Sequence, residues 1–377
     1  MKIVQAYYTK FRGWNYTTNK TALNNPLVIV FGNRLLMEDE SLMANLKQEF
    51  PYSDFVYGST AGEITDTMVF ENSLSVTAIA FEKSTFKVTT ANVFDHDKDA
   101  EKLGAVLYGK MPQENLRHVF VLAGGNFING SALIAGLEKE IGTDVAVTGG
   151  LCGDDGRFER TTAGYNESPK EGEAVLVGLY GDSLEVTYAS FGGFQPFGPK
   201  RLATKTIGNL VYEIDGQPAL DLYKKYLGEK AHQQLESLLS YPLSITEPGK
   251  DYAVVRTILN IDTADGSIIL AGNCAQGSHV QLMMASPEGI VRGAIDAAKT
   301  ASEDREKKTE LALLVSCMGR KAIMGQRIEE EAELIKEILG DSVALAGFYS
   351  YGEIAPHYNS MLCELHNQTM TLTLLSE

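Results

Sequence analysis

An internal repeat constrains this chain more than any other feature of its sequence. VYGSTAGEITD (56–66) returns as GFYSYGEIAPH (347–357), close to the other end of the 377 residues. Both copies set a hydroxyl residue two places ahead of Gly-Glu-Ile. Thr60 precedes Gly62-Glu63-Ile64, and Ser350 precedes Gly352-Glu353-Ile354. The flanking sequence repeats as well. In 27–81, LVIVFGN is an apolar run ending at Gly, as a buried strand should. EDESLMANLKQEF carries Leu42, Met43, Leu46 and Phe50 at helical spacing behind an acidic first turn. FVYGSTAGEI and the alternating SLSVTAIAF then predict two strands.

Residues 310–375 follow the same order: ELALLVSCMGR, RIEEEAELIKEIL, VALAGFYSYGEI and HNQTMTLTLL. A weaker copy spans 117–181, where the helix of SALIAGLEKEIG ends at Gly142 and the turn carries Gly149-Gly150 and Asp154-Asp155. Three such units predict an α+β fold, with mixed β-sheets and flanking helices built from duplicated βαββ-like units. Between the second and third units lies a β-rich stretch (LEVTYASFGGFQPFG, YAVVRTILNIDT, GSIILAGNCAQGSHVQLMM) interrupted by one helix at 216–228. The apolar pattern breaks at FGPKRLATKTIGN, so two domains are expected, 1–212 and 213–377.

Composition excludes several function classes. A formal net charge of -16 disfavours nucleic acid and anionic membrane as partners, since both need a basic footprint. No continuous apolar segment follows the first lysine, and no run approaches the ~18–20 apolar residues that span a bilayer, so a cytoplasmic protein is expected. Cys152, Cys274, Cys317 and Cys363 show no CxxC spacing, which argues against a structural zinc. Cys152 and Cys317 lie in glycine-rich turns without an adjacent base, so both are read as small residues filling tight space.

The candidate chemistry centres on the two turns. Glu63 and Glu353 can face a shared cleft, taking a ligand's ammonium group or acting as a general base. They can equally brace their turns, with Thr60 and Ser350, by bonding backbone amides. Arg34 and Arg320 each follow the first strand of a unit, in FGNR and CMGR, where a guanidinium grips a carboxylate ligand or an acidic side chain. Arg256, inside the apolar VVRTIL, requires a partner. AGGNFINGS (123–131) joins strand to helix with Asn129 as N-cap, and lacks the phosphate-loop ending. Asp154-Asp155 reads as a solvated turn. His96, His118, His232, His279, His357 and His366 show no metal-binding spacing.

STAGEI, IDGQPALDLYKKYLG, VVRTIL, SCMGR, YSYGEIAP and LHNQTMTLTLL, in this order, resemble the FIST sensory proteins. Their paired FIST N and FIST C regions would cover nearly the whole chain. The resemblance implies a signal-input module for small ligands such as amino acids, not an enzyme. Some relatives bind haem and sense nitric oxide through a partner histidine kinase, which would make His357 or His279 a haem ligand here. The 377 residues contain no kinase box, cyclase motif or long heptad, so a partner protein is expected to receive the signal. Arg320 falls on a CxGR-like family pattern. The expected ligand site is Ser59, Thr60, Gly62, Glu63, Arg320, Tyr349, Ser350, Tyr351, Gly352 and Glu353, with no metal and no obligatory cofactor. Arg320 would hold a carboxylate there, and Glu63 or Glu353 an ammonium. The alternative is an enzyme that uses the Glu63/Glu353 carboxylate pair.

Overall fold

The three units expected from the repeat are present in the computed structural model, which describes residues 1–141, 145–228, 235–357 and 362–377. Gly142 and His232 lie outside the described residues. In each unit an apolar strand runs parallel to a second strand, and a third strand returns antiparallel on the other side. These strands are Leu27–Gly32, Asp54–Ser59 and Ser73–Ala80 in the first unit. They are Leu116–Ala123, Ala146–Leu151 and Glu173–Tyr180 in the second. In the third they are Leu311–Cys317, Ala344–Ser350 and Met370–Ser376.

The units exchange strands in a ring. The segment after each glycine turn leaves its own sheet and pairs with the next. Glu63–Thr65 of unit one lies against Ala344–Ser350 of unit three, with Glu63 opposite Phe348. Gly352–Pro356 of unit three lies against Ala146–Leu151 of unit two, with Glu353 opposite Gly150. Ala163–Tyr165 of unit two closes the ring on Asp54–Ser59, with Ala163 opposite Gly58. The result is three six-stranded mixed sheets, each completed by a strand from a neighbouring unit.

Burial follows from that arrangement. The inner faces meet in one core containing Phe31, Val56, Phe120, Val175, Val315 and Phe348, where the Phe31 and Phe348 rings lie 4.6 Å apart. The outer faces are covered by helices: Glu40–Glu49 on the first sheet, Ala100–Gly109 and Gly130–Ile141 on the second, and Pro287–Ser302 and Glu330–Leu339 on the third. Strands covered on both sides read as continuous apolar runs rather than as alternation, which is why LVIVFG and LALLVSC are almost purely apolar.

One strand departs from the expected grouping. Glu185–Phe191, read from sequence as part of the β-rich stretch, forms the edge of the third unit's sheet by pairing antiparallel with Met370–Ser376. The β-rich stretch follows it as a separate nine-stranded sheet with its own core, centred on Val211, Tyr223, Leu243, Ile268 and Leu282. This layer is inserted between the edge strand and the first central strand of unit three. Arg256, in its strand Val254–Arg256, is buried and donates to the carbonyl of Leu365 in the three-unit body. Its partner is a carbonyl rather than a carboxylate.

Candidate functional site

The three glycine turns converge where the strands cross. Ala61 N donates to Tyr349 O at 2.8 Å, Tyr351 N to Leu151 O at 3.1 Å, and Gly153 N to Ser59 O at 2.9 Å. Each turn thus hangs from its neighbour. Gly62 has φ +138, a conformation that side chains rarely adopt, and a Cβ there would sit 3.0 Å from Lys321 Nζ.

Every turn carries one fully buried carboxylate. Glu63 accepts from Thr60 Oγ1 at 2.5 Å and from Ser73 Oγ. Glu353 accepts from Ser350 Oγ at 2.6 Å, and from Thr369 N at 3.1 Å and Oγ1 at 2.9 Å. Burial pushes Glu63 up to about 8 against the opposing pull of Ser73 and Thr60, and Glu353 up to about 7 against Ser350 and Thr369.

In unit two the buried carboxylate is Asp154, one residue after the crossing amide of Gly153, whereas Glu63 and Glu353 lie two residues after theirs. Asp154 accepts from Phe158 N at 2.9 Å, from Glu159 N and Arg160 N at 2.8 Å each, and from Tyr351 Oη. The expectation of a solvated Asp154-Asp155 turn is corrected here: Asp154 is fully buried and organises the loop 154–160. Adjacent acidic residues look solvated in sequence because the amides that bind one of them lie four to six positions further on.

The predicted site residues do not form one ligand-facing constellation. Ser59, Thr60, Gly62, Tyr349, Ser350 and Gly352 are buried at the crossing point. Glu63 and Glu353 line neither of the clefts described below. Arg320 is corrected as a ligand grip, because the protein itself occupies its guanidinium. Fully buried, it pairs with Glu331 and donates to Ile290 O at 2.8 Å and to Gly192 O. A buried cation without that carboxylate would be strongly disfavoured. Arg34, also buried, pairs with Glu38 at 3.1 Å and Glu159 at 3.2 Å. His357 is buried beneath the Tyr252 ring at 4.1 Å, and His279 stands exposed on the strand His279–Met284.

Two clefts open beside the crossing, and corresponding turn residues wall them. Ala61, just before Gly62, lines a cleft of about 630 Å³ with Phe70, Asp155, Met318, Lys321 and Ile328. Tyr351, just before Gly352, lines one of about 440 Å³ between the three-unit body and the nine-stranded layer. The larger is amphipathic. Lys321 Nζ donates to Ala61 O at 2.7 Å, pairs with the exposed Glu71 at 2.5 Å and lies over the Tyr349 ring. Asp155 accepts from Asn33 Nδ2 at 2.5 Å and pairs with Arg157 at 3.2 Å, while its Oδ1 is buried without a partner among the described residues. Burial raises the Asp155 carboxyl above its ordinary range, opposed by Arg157 and Lys321. A carboxylate and an ammonium therefore flank an apolar wall in a volume typical of small-molecule sites.

Sequence reasoning missed Lys321 and read Asp155 as part of a solvated turn. Lys321 adjoins Arg320 in CMGRK, which was the only available signal, and nothing local distinguishes it from a surface lysine.

A protein of unassigned function from Methanocaldococcus jannaschii is 24% identical over 362 residues, covering 88% of this chain. The match spans 66% of that protein's own length. The FIST N domain matches residues 26–217 and the FIST C domain residues 219–356. Together these matches take in most of the sequence, and the chain belongs to the FIST family.

Proposed function

We propose that this protein is a cytoplasmic sensor for an amino acid or similar small zwitterion, bound in the 630 Å³ cleft where residues of all three units meet. FIST domains are sensory, ligand-binding domains of signal transduction, which supplies the class. One observation carries the site: the unpartnered, buried Oδ1 of Asp155 shares an apolar-walled cleft with Lys321. A buried acceptor without a donor costs about 1–3 kcal/mol, and a ligand ammonium would remove that cost. Lys321 would take the ligand carboxylate, exchanging its weak surface pair with Glu71. Phe70, Met318 and Ile328 would pack the side chain. Glu63, Glu353 and Arg320 hold the frame in this reading. A separate protein, such as a histidine kinase, would receive the signal.

Calorimetry against the twenty amino acids tests the site. Heat is expected for at least one, and Lys321→Ala and Asp155→Asn should each weaken that binding about tenfold or more, in line with a charge-assisted hydrogen bond. A flat panel with folded protein, or binding that both variants retain, refutes it.

A further inference from the structure

The second cleft has a different chemistry from the first. Among the described residues, none that lines it is Asp, Glu, Lys, Arg or His, although 22% of the chain is charged. A neutral wall offers no compensation to a desolvated ion, so the cleft selects a neutral ligand. Its rings are arranged for a planar one. Phe158 and Tyr351 lie nearly parallel, 4.5 Å apart with 17° between their planes. Phe127 stands elsewhere on the wall, braced edge-on by Phe94 at 5.0 Å.

These rings are fixed rather than loose. Tyr351 Oη is held by Asp154 and by Gly156 N at 3.0 Å, and the amide of Phe158 is held by the same carboxylate. Phe158 also has φ +53, a left-handed backbone uncommon for a bulky residue and unfavourable for it. The fold thus holds a ring that stays 38% exposed, beside Phe127 at 41% and Leu259 at 37%. Apolar surface left in water contributes nothing to folding, and a cluster of it marks a binding site.

Carboxamides supply the polar edge. Asn126 Nδ2 donates to Glu159 O at 3.0 Å, Asn129 Nδ2 to Asn273 Oδ1 at 3.2 Å, and Asn209 Nδ2 to Leu270 O at 2.8 Å. Each side chain is thereby oriented. A carboxamide presents a donor and an acceptor in one plane, the pattern that pairs with the edge of a heterocycle. Asn209, Leu259, Leu270, Ala271 and Gly272 come from the nine-stranded layer and the other lining residues from the three-unit body, so an occupant touches both.

We propose that this 440 Å³ cleft is a second ligand site, for a neutral planar heteroaromatic molecule of nucleobase type. It is separate from the amino-acid site and does not depend on it. Calorimetry of the full chain with adenine, uracil and cyclohexanol is the test. Adenine or uracil should bind and cyclohexanol, which is apolar but not planar, should not. Phe127→Ala, an exposed position with little influence on folding, should weaken the binding tenfold or more. Phe158→Leu, which keeps an apolar side chain but removes the ring, should do the same. Lys321→Ala should leave it unchanged. Absence of heat with both heterocycles overturns the proposal, as does equal binding of cyclohexanol. Full affinity retained in Phe127→Ala overturns it as well, even if Phe158→Leu fails to fold.

Discussion

The buried carboxyl of Glu63 gives this protein a stability that depends on pH in an unusual direction. Its folded value near 8 lies above its ordinary value of 4.5 because burial disfavours the charged form. Between those values the folded chain holds a proton that the unfolded chain releases, so stability falls as pH rises. The contribution is complete below pH 4.5 and lost as pH passes through about 8. Each pH unit inside the window is worth about 1.4 kcal/mol, so roughly 2–3 kcal/mol disappears between about pH 6 and 8 from this residue. Glu353 adds a similar slope that ends near pH 7. Glu63→Gln keeps the shape, accepts from one of the Thr60 and Ser73 hydroxyls through its carbonyl oxygen while its amide NH2 donates to the other, and cannot ionise. Urea unfolding at intervals from pH 5 to 9 should therefore show the wild type losing stability relative to Glu63→Gln as pH rises. Parallel curves for the two proteins would refute the assignment of a protonated, buried Glu63.

Three further perturbations follow from the same geometry. Arg320→Ala strands Glu331 in the core and should cost about 3–5 kcal/mol by urea midpoint, whereas Arg320→Met with Glu331→Leu should recover much of that loss. Asp154→Ala removes the acceptor of three amides and the Tyr351 hydroxyl, and should cost about 2–4 kcal/mol, with hydrogen exchange accelerated at 158–160. Gly62→Ala forces a side chain onto φ +138 beside Lys321, and should lower the melting temperature by several degrees, on the order of 1–3 kcal/mol.

The sequence by itself determined the units and their local devices. The repeated order of apolar run, amphipathic helix, turn and strand marked three copies, and Asn129 caps its helix as expected, accepting from Ala132 N at 3.1 Å. Bracing by Glu63 and Glu353 was legible as one of two readings, but through backbone amides, whereas hydroxyls of Thr60, Ser73 and Ser350 hold the carboxylates and only Glu353 takes an amide, that of Thr369. Tertiary structure alone decided which strands meet. Periodicity tells a strand which face to bury, but ladder bonds come from backbone that is the same in every residue. Nothing near Glu63 announces Phe348 as its neighbour, nor anything near Glu185–Phe191 a partner at the far terminus. The clefts are later still, since each joins units far apart in the chain. Lys321 and Asp155 share a cleft only because three turns cross at one place, and that crossing is a property of the folded ring rather than of any stretch of sequence.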